Sequence, residues 1–141
     1  MLTDKKVLFT PLNIISNYNG DIKHGMKKSD DGFQGFGEAY FSYVKYGSVK
    51  GWKKHHEMVL NLIVVVGKIK FYVYDEVTKK KLVFTICCNE NYGRLTIPAG
   101  LWVAFEGLDL GDNLLLNIAS IEHDPEEAET RDIDFIALWE Q

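Results

Sequence analysis

Cysteine is nearly absent: the 141 residues hold two, and these are neighbours, Cys87 and Cys88. Adjacent residues of a strand point to opposite faces, so no bridge between them is expected, and a reduced, cytoplasmic setting follows as the default. Long apolar runs are missing as well. None exceeds Leu62 to Val66, against the roughly 18 residues a membrane-spanning helix needs, so no membrane partner is expected. The start, Met1-Leu-Thr-Asp-Lys-Lys, lacks the apolar core of a secretory leader. There is no basic excess either. Lys and Arg number 16 against 20 Asp and Glu, a net charge of -4 that leaves no footprint for nucleic acid. Lys79-Lys-Lys81 reads as a solvated hairpin tip rather than a phosphate patch. Before residue 125 no stretch sustains a 3.6-residue period, and no repeat, linker or low-complexity segment interrupts the chain.

What is present is a succession of short strand-like runs. Residues 7–16 mix β-branched side chains with Pro11, which marks an edge strand. Asn17 to Gly20 supplies a turn, and Gly32, Gly35 and Gly37 lead into Glu38 to Tyr46, rich in aromatics. The alternation of Tyr40, Ser42 and Val44 against Phe41, Tyr43 and Lys45 leaves open which face is inside. Leu60 to Val66 and Lys68 to Tyr74 are joined tightly at Gly67. Further runs follow at Leu82 to Cys88, Arg94 to Pro98, Leu101 to Phe105 and Leu114 to Ala119. Strands at this spacing, with Gly, Asn and Asp turns, predict an all-β sandwich or barrel formed by a single domain over residues 1–141. Only Pro125 to Arg131 reads as a short helical turn, with Asp124 as its cap and Pro125 in first position.

Two stretches carry the chemistry: Gly47 to Leu60, with Lys53-Lys-His55-His-Glu57, and its echo Ile97-Pro98-Ala-Gly100-Leu-Trp-Val103. Their glycine and proline spacing resembles the two-part signature of cupins. The four places where a metal-binding cupin carries His, His, Glu and His hold Lys53, His55, Leu60 and Val103. A divalent metal needs three or four N, O or S donors converging on one point. A protonated lysine has no lone pair, and leucine and valine have no donor. No metal and no other cofactor is therefore expected. Lys53, His55 and Glu57 alternate, so they share a face if the segment is a strand. Composition alone reads this polar segment as a solvated rim. The cupin spacing assigns Lys53 and His55 to the interior, where a cation beside the imidazole favours its neutral, proton-accepting form.

The other candidates each carry a plain alternative. His24 and His123 are lone histidines, more often packed or surface residues than catalysts. Asn61 and Asn117 sit in apolar strands and must find amide partners, across strands first and in a ligand second. Arg94 suits either a bidentate phosphate contact or a salt bridge. Trp52, Trp102 and Tyr43 would serve as aromatic core, or else as the wall of a ligand pocket.

Taken together, Asn19-Gly20-Asp-Ile-Lys-His24, Phe36-Gly-Glu-Ala-Tyr-Phe-Ser42, Lys50-Gly-Trp-Lys-Lys-His55, Val66-Gly-Lys-Ile-Lys70, Leu95 to Trp102 and Asn117 to Pro125 resemble the dTDP-4-dehydrorhamnose 3,5-epimerase-like cupins. More distantly they resemble the sugar-nucleotide 3,4-ketoisomerases, which have Gly-Phe-His-x-His-Lys where this chain has Gly51-Trp-Lys-Lys-His55-His. The resemblance spans roughly residues 16–126. It implies a homodimeric cupin jelly roll that acts without metal on a nucleotide-linked 4-keto-6-deoxy sugar, in the making of deoxysugars for surface polysaccharides. On that resemblance the leading expectation takes His55 as base, Lys53 as the stabiliser of an enolate and His123 or a tyrosine as acid, with Lys53 itself as the alternative base. Arg94, Asn61, Asn117, Tyr43, Trp102 and His24 would contact substrate. Lys53 replaces the histidine that is the base in the epimerases, so a binding module without turnover is the second expectation. A third is an isomerase or dehydratase of an unrelated carbonyl compound.

Overall fold

The structure, a computed structural model, describes residues 6–140; Met1 to Lys5, where the leader was sought above, and Gln141 lie outside them. The predicted runs become strands almost where expected: β1 (Leu8–Pro11), β2 (Ile14–Ile15), β3 (Ile22–Lys23), β4 (Glu38–Tyr43), β5 (Val49–His55) and β6 (Leu60–Val66). They continue as β7 (Lys68–Asp75), β8 (Lys80–Cys87), β9 (Gly93–Ile97), β10 (Trp102–Gly107), β11 (Leu114–Ala119) and β12 (Ala128–Thr130). Two five-stranded sheets form, in the orders β1-β9-β6-β11-β4 and β12-β5-β10-β7-β8, with β2 and β3 as a separate hairpin. Every strand pairing is antiparallel. This is the all-β cupin jelly roll read from the sequence.

The side-chain period of two decides the layers. Leu60, Leu62 and Val64 of β6 face inward, joining Phe71, Val73, Leu95, Ile97 and Leu115 in the core between the sheets. Each such side chain contributes roughly 1.5–3 kcal/mol by leaving water. Asn61 and Ile63 face outward, as do Arg94 and Thr96 of β9. Their polar atoms fasten the loop before β4: Asn61 Nδ2 donates to the Gly32 carbonyl at 3.0 Å, and Arg94 Nη1 donates to that of Gly25 at 2.6 Å.

On the second sheet the outward face forms a separate aromatic core. Trp52, Tyr72, Trp102 and Ala104 are buried there beneath Ile133, Phe135, Ile136 and Trp139. The chain after residue 130 thus lies across the sheet as a strap, which the sequence did not announce. The helical turn expected over Pro125 to Arg131 is cut short: Pro125–Glu127 is a 3-10 turn, with the Asp124 side chain accepting from the Glu126 N–H at 3.0 Å, while Ala128–Thr130 pair with β5 as β12 instead.

Candidate active site

Where β4, β6 and β11 of one sheet face β5 and β10 of the other, the sandwich opens into a cavity of about 260 Å³. Strand β5 supplies its polar floor. Trp52 and Lys54 point out, while Gly51, Lys53 and His55 line the cavity, so the alternation and the cupin spacing agree on the inward pair. Exposure falls along the strand, from Lys50 at the mouth through half-buried Lys53 to buried His55. Apolar walls come from Leu60, Leu62, Val103, Phe105 and Leu115, and among the described residues no carboxylate lines the space. Glu57, which alternation would put on the same face, is exposed beyond the end of β5.

His55 is held by a residue that sequence reasoning missed. Its Nδ1 lies 2.7 Å from Oε1 of Glu127, itself 5% exposed. The other carboxylate oxygen accepts from the backbone N–H groups of Glu57 and Met58, each at 2.8 Å. Burial by itself would raise the Glu127 pKa, but the His55 hydrogen bond, the two backbone donors and the imidazole's charge together bring it down to about 2. An ionised Glu127 accepts only, so the hydrogen-bonded Nδ1 carries the proton, and Nε2 of a neutral ring keeps its lone pair for the cavity. Opposite, on β4, the Tyr40 hydroxyl accepts from Asn117 Nδ2 at 3.0 Å, which leaves its own proton available to a ligand. Lys53 Nζ makes no hydrogen bond or ion pair with another described residue, whereas Lys50 Nζ at the mouth donates to Ser42 Oγ at 3.3 Å.

Of the residues the sequence singled out, the fold brings Lys53, His55 and Asn117 into this cavity. Besides Glu57, seven lie elsewhere, and Trp52 is one of them, buried in the aromatic core on the outward face of β5. Asn61 is on the outward face of β6, its Oδ1 accepting from Thr96 Oγ1 at 2.5 Å. Arg94 is fully buried; its guanidinium is spent on the Gly25 and Asp31 carbonyls and on Asp30, 3.3 Å away, and not on an open phosphate site. Trp102 faces away from the cavity, its Nε1 donating to Glu76 Oε1 at 3.1 Å. Tyr43 is 60% exposed on the outer face of β4. His24 lines a different cavity, of about 430 Å³, beside the N-terminal strands. His123 is exposed on the loop after β11, its backbone N–H bonded to Glu38. The cause is common to Asn61, Arg94, Trp102 and Tyr43: each occupies the outward phase of its strand.

A cupin fold raises the question of a metal. Among the described residues no group of three or more His, Cys, Asp or Glu side chains is placed to hold one. The ligand positions carry a lysine, a leucine and a valine besides His55, a donor set that does not fit such an ion.

Residues 5–138 match the family model FdtA, described as WxcM-like, C-terminal. No curated protein matches the chain. Among solved structures, a dTDP sugar isomerase from Desulfovibrio desulfuricans G20 is 29% identical, superposes with a TM-score of 0.87, and the alignment covers 92% of this chain and 85% of that one. QdtA, a sugar 3,4-ketoisomerase from Thermoanaerobacterium thermosaccharolyticum solved with TDP, gives 20% identity and a TM-score of 0.75 over 92% and 90%. ChmJ, a 3'-monoepimerase from Streptomyces bikiniensis solved with dTDP-quinovose, gives 16% and 0.79 over 88% and 68%. At their identities the last two speak to the fold. These relatives are of the group that the sequence motifs resembled. With nearly the whole length matched, the chain belongs to the FdtA family of WxcM-like, C-terminal domains.

Proposed function

We propose that the protein is a metal-independent isomerase or epimerase of a nucleotide-linked 4-keto-6-deoxy sugar. The observation that carries this reading is an imidazole oriented by a buried carboxylate and placed beside a lysine that no described residue pairs, in a cavity with apolar walls. A carbon next to a ketone is acidic, and three things are needed to exploit that: a base, a cation for the enolate oxygen and a donor for the returning proton. His55 Nε2 takes the proton from carbon. The C–H electron pair becomes the enolate double bond, and the carbonyl pair moves to oxygen, beside the Lys53 ammonium. The Tyr40 O–H takes the role of acid in preference to His123, because it lines the cavity and comes from the facing sheet. A sugar ring between the sheets thus meets a base on one side and a hydroxyl on the other. Return of the proton to the opposite face of the same carbon is epimerisation. In ketoisomerisation the enolate oxygen is protonated, the hydroxyl on the deprotonated carbon gives up its proton and becomes the new carbonyl, and the former carbonyl carbon takes a proton.

The name of the 29% identical relative, a dTDP sugar isomerase, supports a nucleotide-sugar ligand. We extend the same reading to deoxysugar and surface polysaccharide synthesis in the cytoplasm, by a homodimer. Incubation with a nucleotide-linked 4-keto-6-deoxy sugar in deuterated water tests it: deuterium is expected at C3 or C5, and His55→Ala is expected to abolish it. Binding without exchange would replace the enzyme with the binding-module reading, to which Lys53 at the first histidine position gives some support. Neither binding nor exchange would end both.

A further inference from the structure

We infer that residues 131–140 act as a strap that positions the His55–Glu127 pair, beyond covering the aromatic face of the sheet. Glu127 stands immediately before β12, which is only three residues long and has β5 as its single neighbour. An edge strand of that length has little stability of its own. Yet the Glu127 carboxylate must hold three hydrogen bonds of 2.7 to 2.8 Å at once, a geometry that a displacement of about 1 Å would break.

The segment that follows supplies the missing constraint, and it grips β5. Arg131 N–H donates to the Trp52 carbonyl and Trp52 N–H to that of Arg131, both at 2.9 Å, extending the β12 ladder. Trp52 Nε1 reaches the carbonyls of Ile133 at 3.3 Å and Ile136 at 3.2 Å. Trp139 then stacks on Trp52 with ring centroids 5.8 Å apart and meets Tyr72 edge-on at 5.5 Å. The Lys70–Glu140 ion pair, at 2.9 Å, closes the strap onto β7. Trp52 is the residue between Gly51 and Lys53. The strap therefore holds from outside the strand whose inner face carries the base, and the same stretch of chain delivers that base's carboxylate.

The consequence for catalysis rests on His55 being the base, but the strap itself is testable without substrate. In imidazole-labelled protein, nitrogen NMR is expected to show His55 as one tautomer protonated at Nδ1, with that proton far downfield. Trp139→Ala should lose the downfield proton and mix the tautomers while the amide spectrum stays folded, and Trp139→Phe should retain both features. Should Trp139→Ala fail to fold, Glu140→Lys, which sets two cations against each other over β7, takes its place with the same expected loss. A folded variant whose His55 signals match the parent would overturn the inference and leave the strap a mere cover. In the exchange assay, loss of the tautomer should lower the rate about tenfold or more with nucleoside diphosphate affinity unchanged. If the tautomer is lost and the rate is not, the strap stands and the assignment of His55 as base falls.

Discussion

Glu127 gives the site its polarity. Its pKa lies at about 2 against an ordinary 4.5, because the His55 bond and two backbone donors outweigh burial. A carboxylate with a depressed folded-state pKa contributes stability that is complete above the unfolded value and lost as pH falls through the folded one. The window here runs from about pH 4.5 down to about 2, and the full difference corresponds to roughly 3 kcal/mol. Chemical unfolding of the parent and Glu127→Gln over this range should therefore give curves that converge as pH drops; a constant gap would show that the carboxylate is not ionised in the fold. On the chemical side, Glu127→Gln turns one of the two accepting oxygens into an amide donor, so the side chain no longer accepts from both the imidazole and the Glu57 and Met58 N–H groups, and it is expected to slow deuterium exchange by on the order of 10²-fold. Tyr40→Phe should leave proton abstraction measurable but slow product formation, a split between exchange and turnover that a purely structural tyrosine would not produce. Lys53→Met removes the cation from the enolate and should depress both.

At the level of elements, β5 works on two faces, with the base inside and Trp52 anchored outside. Its position is only as good as its neighbours', which is why β12 and the strap matter to a site they do not line. Tight connections fix the facing sheet in the same way. Gly67 alone joins β6 to β7, at φ 82, and a Cβ there would press into the Asp112 carbonyl oxygen and Asn113. Gly67→Ala combines a strained backbone with a clash and should cost on the order of 1–3 kcal/mol in urea unfolding; an unchanged midpoint would mean that the turn relaxes freely. Arg94 serves β9 and the preceding loop rather than a ligand, tying Gly25, Asp30 and Asp31 to the outer face of the sheet.

For the whole molecule, the two sheets bury apolar side chains on three surfaces: the shared interior, the strap side and the loop side. The remaining outer face, toward β4, stays open. Phe41 and Tyr43 are exposed there at 63% and 60%, with Val65 at 38% on β6. Aromatic and β-branched residues left in water on a sheet face suit a second copy of the chain, which the homodimer proposal requires. Sedimentation should show a dimer for the parent and a monomer for Phe41→Asp with Tyr43→Asp. A parent that sediments as a monomer would remove that proposal while leaving the site intact.

The sequence by itself determined most of the strands and the capped turn at Pro125, which follow from alternation and turn chemistry acting over a few residues. The inward phase of Lys53 and His55 came from the cupin spacing, and the outward phase of Asn61 on β6 was not read at all. The sequence left the phase of β4 undecided, and with it Tyr40, because aromatic side chains stand on both faces there. It gave no sign of Glu127, which reaches His55 across 72 residues. Only the order of strands in the second sheet, with β12 folded back along β5 under a strap of tryptophan and phenylalanine, put that carboxylate beside the base. A period of two says which way a side chain points; it carries no information about which distant strand will lie next to it.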